Sequence, residues 1–277
     1  MSNKETVYAL VADILNAHEL DPLMRSVTTF IAYLENADKK HGAWACKHFW
    51  DTFSFRDYSY RQKPFDSPYN AVIISPGFAL SSMLSGYVPY STNPAKVTEG
   101  FRRFLRRCEE FVPPVHPAIT EDEIHAVLRV AQAKFGMINI IAPDTPLRIH
   151  RLEYSHAKYN SECAPTDQET RQSLIFLYHP WQKDIYDRVF IFAHELGHAL
   201  HFALTGDIET LPQGFNELNN VLGAKFETLQ ENQEGFADAT AFAILGNGLK
   251  EHLPLGYTGV MTPHFIRYFK ELINRTA

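Results

Sequence analysis

The sequence predicts an α+β fold in which a small mixed or antiparallel sheet comes before two buried helices. Short runs rich in β-branched and aromatic residues at 148–154 and 173–178 are typical of strands. The longer apolar segments 188–204 and 233–245 have the spacing of buried helices. Strands that precede helices, instead of alternating with them, favour an α+β arrangement over a doubly wound sheet.

A proline-rich segment, Val112-Pro-Pro-Val-His-Pro117, divides the chain, because neither a helix nor a central strand can cross it. We expect a mainly helical, aromatic-rich N-terminal lobe of unknown role over residues 1–112 and a second domain over 118–277. Four arginines cluster on one predicted helix of the lobe: Arg102, Arg103, Arg106 and Arg107. A solvated face is the default interpretation of this cluster, and an acidic partner or nucleic acid is the alternative.

The second domain is predicted to open with a helix over residues 121–135. Thr120 is a suitable N-cap, Glu123 stands at the capping-box position, and Gly136 can end the helix.

Strands are predicted next at residues 137–141 and 148–154, followed by an irregular stretch up to Arg171. A further strand over 173–178 is expected to be an edge of the sheet, along which an extended peptide could pair.

The following helix carries His194-Glu195-Leu196-Gly197-His198. Helical residues four apart lie on one face, so both imidazoles can reach one metal ion. Glu195 could then accept a proton from a water molecule on that metal as the water attacks a carbonyl group. The flanking residues are almost all apolar, so these buried polar side chains need partners, which a metal supplies.

Other positions of this helix narrow the interpretation. Gly197 costs helix stability of about 1 kcal/mol relative to alanine, which suggests that another backbone or a substrate comes close. His201 lies about 10 Å along the axis from His194, too far to share an ion, so we expect it to be packed beside the site. A metzincin would have glycine at position 201 and histidine at Leu204, so that class is excluded.

A third ligand is expected from the second apolar segment, 233–245. Glu234 and Asp238 are four residues apart and share one helix face. One carboxylate could bind zinc while the other accepts the N–H of a ligating histidine and fixes its tautomer. Glu234 is the first choice as ligand and Asp238 as the partner of the histidine, whereas Asp238 becomes the ligand if the helix begins later.

The run Arg188-Val-Phe-Ile-Phe-Ala-His-Glu-Leu-Gly-His198 resembles the Arg-x-Phe-x-x-Ala-His-Glu-Leu-Gly-His segment of the ImmA/IrrE metallopeptidases. The resemblance covers about residues 120–250. It implies a zincin-like fold, one Zn2+ ion, hydrolysis of a peptide or protein substrate, and often control of a regulatory protein partner.

Downstream, the chain is similar to the family's Glu-Ala-Asn/Asp-x-Phe-Ala signature at Ala237-Asp238, but the family's glutamate would fall on Phe236. The spacing Glu234-x-x-x-Asp238 is instead similar to that of the thermolysin-like gluzincins.

A zinc hydrolase also needs groups that stabilise the negative charge of its intermediate. Tyr257, which lies between two glycines, and His264 are the candidates. Cys163 could cap the zinc and keep an enzyme latent, although free cysteines are usually packed and inert.

Composition narrows the partners and the compartment. The 277 residues are 45% hydrophobic, which is ample for a core. A net charge of -6 gives no general attraction to nucleic acid or anionic membranes. No signal peptide or membrane-spanning run is visible. Three widely spaced cysteines, Cys46, Cys108 and Cys163, favour a reducing cytoplasm over a disulfide framework. The number of copies that assemble stays open.

The sequence therefore predicts a zinc metallopeptidase in which Glu195 activates water. Two alternatives are a zinc-binding regulatory or interaction protein without turnover, and a zinc hydrolase of a non-peptide substrate. Glu195 favours catalysis, because a structural metal site needs no base beside its ligands.

Overall fold

The computed structural model describes most of the chain from residue 116 onward and isolated parts before it. The described residues are 69–74, 87, 96, 99–100, 103–104, 106–107, 110–112, 114, 116–152, 155–167, 169–180, 185–223, 228–246 and 262–276. Within these ranges no helix has both the length and the apolar character needed to cross a bilayer.

The described elements make an α+β fold, as expected. In chain order they are β1 (Ala71–Ile74), β2 (Phe111–Val112), α1 (Glu121–Phe135), α2 (Met137–Ile141), β3 (Leu147–Arg151), β4 (Ser155–His156), β5 (Ser161–Asp167), β6 (Gln172–Leu177), α3 (Ile185–Thr205), α4 (Phe215–Leu222), α5 (Leu229–Leu245) and α6 (Thr262–Thr276). Four strands form a mixed sheet in the order β1-β3-β6-β5, and β2 pairs with β4.

The described residues fall into two compact units. One draws on residues 74–114 and 150–159, and the other on 65–73, 115–149 and 160–277. The division into a lobe over 1–112 and a domain over 118–277 stays a prediction, since most of the lobe lies outside the described residues.

The first unit contains the arginines that the sequence suggested as a basic face. Arg106 pairs with Glu99 at 3.1 Å, and Arg107 pairs with Glu110 at 2.9 Å. Arg102 lies outside the described residues. Two of the four arginines therefore have acidic partners within their own unit.

Helix α1 in the second unit agrees with its prediction at both ends. Thr120 and Glu123 form a complete capping box, and Gly136 ends the helix with φ 71°. The Glu123 carboxylate also receives two hydrogen bonds from Arg188 of α3, at 2.8 and 3.1 Å. The cap of one helix thus anchors the start of the next long helix.

The predicted strand at residues 137–141 is wrong, because this segment is helix α2. Met137, Ile138 and Ile141 are buried, which is one face of a helical turn. The Gln132 side chain accepts a hydrogen bond from the Ile138 N–H at 3.1 Å and satisfies the start of the turn. A short apolar run does not distinguish a buried helix from a strand by periodicity, which explains the error.

The sheet differs from the prediction at its end. The strand expected over 173–178 exists as β6, but it lies between β3 and β5 and is not an edge. The expected irregular stretch contains β5, which pairs antiparallel with β6 and ends the four-stranded sheet. Pro165 hides this strand in the sequence, and an end strand is where a sheet tolerates proline.

Helices α3 and α5 approach each other unusually closely at Gly197. A β-carbon at this position would lie 2.6 Å from the Ala237 Cα and 2.9 Å from the Ala237 carbonyl oxygen. This confirms the expectation that another backbone comes close to Gly197. Only glycine permits such contact, so this residue sets the separation of the two helices.

Side-chain cations cap the C-terminal ends of both helices. Arg171, between β5 and β6, donates to the carbonyls of Ala203 and Leu204 at 3.2 and 3.1 Å, although its own φ is 52°. Lys134 of α1 donates to the Ile244 carbonyl at 2.8 Å. A cation at a helix C-terminus is favourable both as a hydrogen-bond donor and with respect to the helix dipole.

Gly197→Ala should destabilise the protein by about 1–3 kcal/mol, because the new methyl group would force α3 and α5 apart. Denaturant unfolding measures the loss. An ordinary helix interior would instead gain up to about 1 kcal/mol from the same change. A variant that is more stable than wild type would contradict the close contact.

Candidate metal centre

Helix α3 presents two histidines to one point. His194 and His198 are four residues apart, and their Nε2 atoms lie 3.0 Å from each other. Their side chains are only 16% and 22% exposed. The local sequence explains the placement, because the apolar residues of α3 bury the rest of its surface and leave this face to polar groups.

Helix α5 supplies carboxylates to the same point. The Glu234 Oε2 lies 3.1 Å from the Nε2 of His194 and 3.6 Å from the Nε2 of His198. One possible ligand atom from each of these three residues lies within 4.8 Å of the others, so the group could hold a metal ion. Two imidazole nitrogens and one carboxylate oxygen suit zinc and leave a coordination position open.

Asp238 occupies a different position from Glu234. Its Oδ1 lies 2.7 Å from the Nδ1 of His194, on the side of the ring away from the cluster. The helix begins at Leu229 with Thr228 and Glu231 in a capping box, so Glu234 lies one turn inside. Of the two arrangements that the sequence left open, this geometry matches the one with Glu234 as ligand and Asp238 as partner of the histidine.

The hydrogen bonds among the converging groups shift the pKa values of His194 and Glu234 in opposite directions. Burial disfavours the charged form of His194, but hydrogen bonds with Asp238 and Glu234 outweigh it and raise the pKa of His194 to about 10. Hydrogen bonds from His194 and His198 hold the pKa of Glu234 well below its usual range. The proton on His194 therefore balances the negative charge of the neighbouring carboxylates, as a bound metal ion would do in its place.

Glu195 is 5% exposed and lies on the sheet side of α3. Its Oε1 accepts a hydrogen bond from the Ser161 hydroxyl of β5 at 2.6 Å. Its Oε2 is buried and has no hydrogen-bond partner among the described residues. A buried carboxylate oxygen without a donor is costly, and a water molecule could supply such a donor.

His201 is packed, as expected, and is not one of the three converging residues. It is 2% exposed, and its Nε2 lies 2.6 Å from the Thr210 carbonyl oxygen. The centroids of its ring and the Phe236 ring are 5.6 Å apart. Burial lowers the pKa of His201, which favours the neutral ring.

The remaining candidates lie away from the cluster or outside the described residues. Cys163 of β5 packs against the core, and burial together with the Glu195 charge raises the pKa of its thiol well above the usual range. His264 lies in the first turn of α6 with its side chain exposed. Tyr257, Cys46 and Cys108 lie outside the described residues. The roles suggested for Tyr257 and His264 in charge stabilisation stay predictions.

Ser161 is the site residue that the sequence analysis missed. It lies 34 positions before Glu195, in a stretch interpreted as irregular, and a single hydroxyl has no recognisable spacing to a distant carboxylate. Only the recognition that residues 161–167 form a strand could have suggested that Ser161 lies near Glu195.

Comparison with family models, with curated proteins and with solved structures found no match to this chain. The resemblance to the ImmA/IrrE metallopeptidases therefore stays a prediction that depends on the motif residues.

Zinc affinity should increase about tenfold per pH unit between pH 7 and 9, because zinc must displace the His194 proton. His194, with its pKa near 10, holds that proton throughout this range in the metal-free protein. Competition with a fluorescent chelator measures the affinity, and calorimetry in two buffers of different ionisation enthalpy counts the protons released. An affinity that levels off above pH 7, as an ordinary histidine predicts, would contradict this assignment.

Proposed function

We propose that this chain is a zinc-dependent hydrolase that cleaves peptide bonds. The observation that carries the proposal is the convergence of His194, His198 and Glu234. The next residue after His194 in the chain, Glu195, has a carboxylate oxygen, Oε2, that is buried without a hydrogen-bond partner among the described residues. A metal site that only stabilises a fold has no use for such a carboxylate, whereas hydrolysis requires a base at that position.

Zinc bound at this site would polarise the carbonyl group under attack and increase the acidity of water. The protein residues do the rest. His194, His198 and Glu234 would hold the ion, and Asp238 keeps the Nδ1 proton of His194 so that Nε2 faces the ion. Glu195 would take a proton at Oε2 from the attacking water and then deliver it to the leaving nitrogen.

Peptides are favoured over other substrates by the free side of β5. The Asn160 carbonyl accepts a hydrogen bond from the Tyr178 N–H at 3.1 Å, and Asn160 precedes the register in which Ser161 faces Leu177. Backbone groups alternate in an antiparallel pair, so every second residue from Asn160 bonds to β6. The backbone groups of Ser161 and Cys163 then point away from β6.

Pro165 fits this alternation. Its backbone nitrogen points away from β6, so the missing N–H of proline costs no hydrogen bond to β6. No strand covers this side of β5 among the described residues. An extended peptide could therefore pair with Ser161 and Cys163, with pairing limited at Pro165. This assigns to β5 the edge role that the sequence analysis gave to residues 173–178.

Cys163→Pro should raise KM for peptide substrates about two- to tenfold relative to Cys163→Ala, because it removes one outward N–H. The fold should survive, since that N–H does not bond to β6. Ala164→Pro is the matched control one residue along, where the lost N–H faces β6, and it should lower Tm. Equal KM values for the proline and alanine variants at position 163 would exclude pairing along this edge.

Glu195→Gln should leave zinc binding intact and reduce turnover at least about a hundredfold, because the amide accepts no proton from water. Inductively coupled plasma emission spectroscopy measures the zinc content of the purified protein, and mass spectrometry of a peptide library measures turnover. Proteomics of new N-termini in cells with wild type or the variant would identify substrates, regulatory proteins among them. Glu231→Gln makes the same chemical change on α5 and should stay active, because glutamine also fits a capping box.

Zinc binding together with unchanged biological activity of Glu195→Gln would support the regulatory or interaction protein without turnover. Loss of biological activity in Glu195→Gln without any cleaved peptide would favour hydrolysis of a non-peptide substrate.

A further inference from the structure

The contact between Ser161 and Glu195 joins the sheet to helix α3 at the residue proposed as the base. The two oxygens lie 2.6 Å apart, which is the distance of a strong hydrogen bond from a hydroxyl to a carboxylate. The bond holds Oε1 only and leaves Oε2 as the oxygen without a donor. The carboxylate is thereby fixed in orientation, with its two oxygens in different environments.

We propose that Ser161 is a positioning residue for Glu195, which holds the base so that Oε2 faces the reacting water. This inference rests on the proposed hydrolase function and adds a residue to it. A side chain with three rotatable bonds has several orientations, and a displacement of 1 Å at a reacting group can cost about a hundredfold in rate. A single bond from a strand to one carboxylate oxygen removes this freedom.

The location of Ser161 strengthens the inference. Its hydroxyl bonds to Glu195, while its backbone N–H and carbonyl point to the free side of β5. A peptide that pairs along β5 would therefore bind the residue that also orients the base. The distance between the scissile bond and Glu195 would then depend on one residue of the sheet.

Ser161→Ala should lower kcat about 10- to 100-fold while KM and zinc content stay within about twofold of wild type. Ser161→Thr keeps the hydroxyl on a residue that suits strands and should recover most of kcat. Thr166→Ala is the matched control, because Thr166 lies on the same strand and donates to the Gln172 carbonyl, away from Glu195. Full kcat in Ser161→Ala, or a threonine variant as slow as the alanine variant, would overturn the proposal.

A second measurement needs no activity. In the metal-free protein, Ser161→Ala should lower Tm because it leaves both Glu195 oxygens without a donor. In a Glu195→Met background the loss of Tm from Ser161→Ala should fall by about half or more, because the carboxylate is gone. Equal losses in the two backgrounds would show that Ser161 does not act through Glu195 and would overturn the inference.

The two proposals fail in different ways. A wild-type protein that binds zinc and hydrolyses nothing would overturn both the proposed function and the role of Ser161. An active wild type with an equally active Ser161→Ala variant would overturn only the role of Ser161.

Discussion

The candidate site depends on how closely helices α3 and α5 approach each other at Gly197. Each helix contributes part of the converging group, so the group does not form unless the two backbones meet at this distance. The absence of a side chain at Gly197 lets the Ala237 backbone fill that space. One turn from this contact on either helix, His194 and Glu234 are brought within 3.1 Å of each other. The close packing of the two helices thus sets the interaction between His194 and Glu234, because these groups come together only at the helix separation that Gly197 allows.

Close packing alone would leave the helices free to slide, and polar contacts at their ends prevent this. Arg188 holds the beginning of α3 to the capping box of α1, and Arg171 holds its end. Lys134 holds the end of α5. These cations bind backbone carbonyls or a carboxylate outside the cluster, so they fix helix position without adding charge among the converging side chains. These contacts favour a fixed separation of the two helices at the candidate site.

Sequence patterns within a few residues predicted many of the individual elements. Contacts that depend on the pairing of distant segments were harder to predict. The α+β class, helix α1 with its capping box, and strand β6 follow from spacing within a few residues. The convergence of α3 and α5 was inferred because buried polar groups need partners. Helix α2 and strand β5 were missed, since a five-residue, mostly apolar segment fits either structure and a proline obscured an end strand. The bond from Ser161 to Glu195 depends on strand register, which no local pattern encodes.

Arg171 has a left-handed backbone conformation, and its side chain reaches the last carbonyls of α3. A left-handed φ of 52° costs a non-glycine residue about 1 kcal/mol, and glycine would relieve that strain. Glycine, however, has no guanidinium to clamp the helix. The hairpin of β5 and β6 is thus a structural part of the site as well as its neighbour. Grafting the centre onto a designed scaffold would require transplanting this hairpin with the helix pair, since two helices alone would lack both the clamp and the serine.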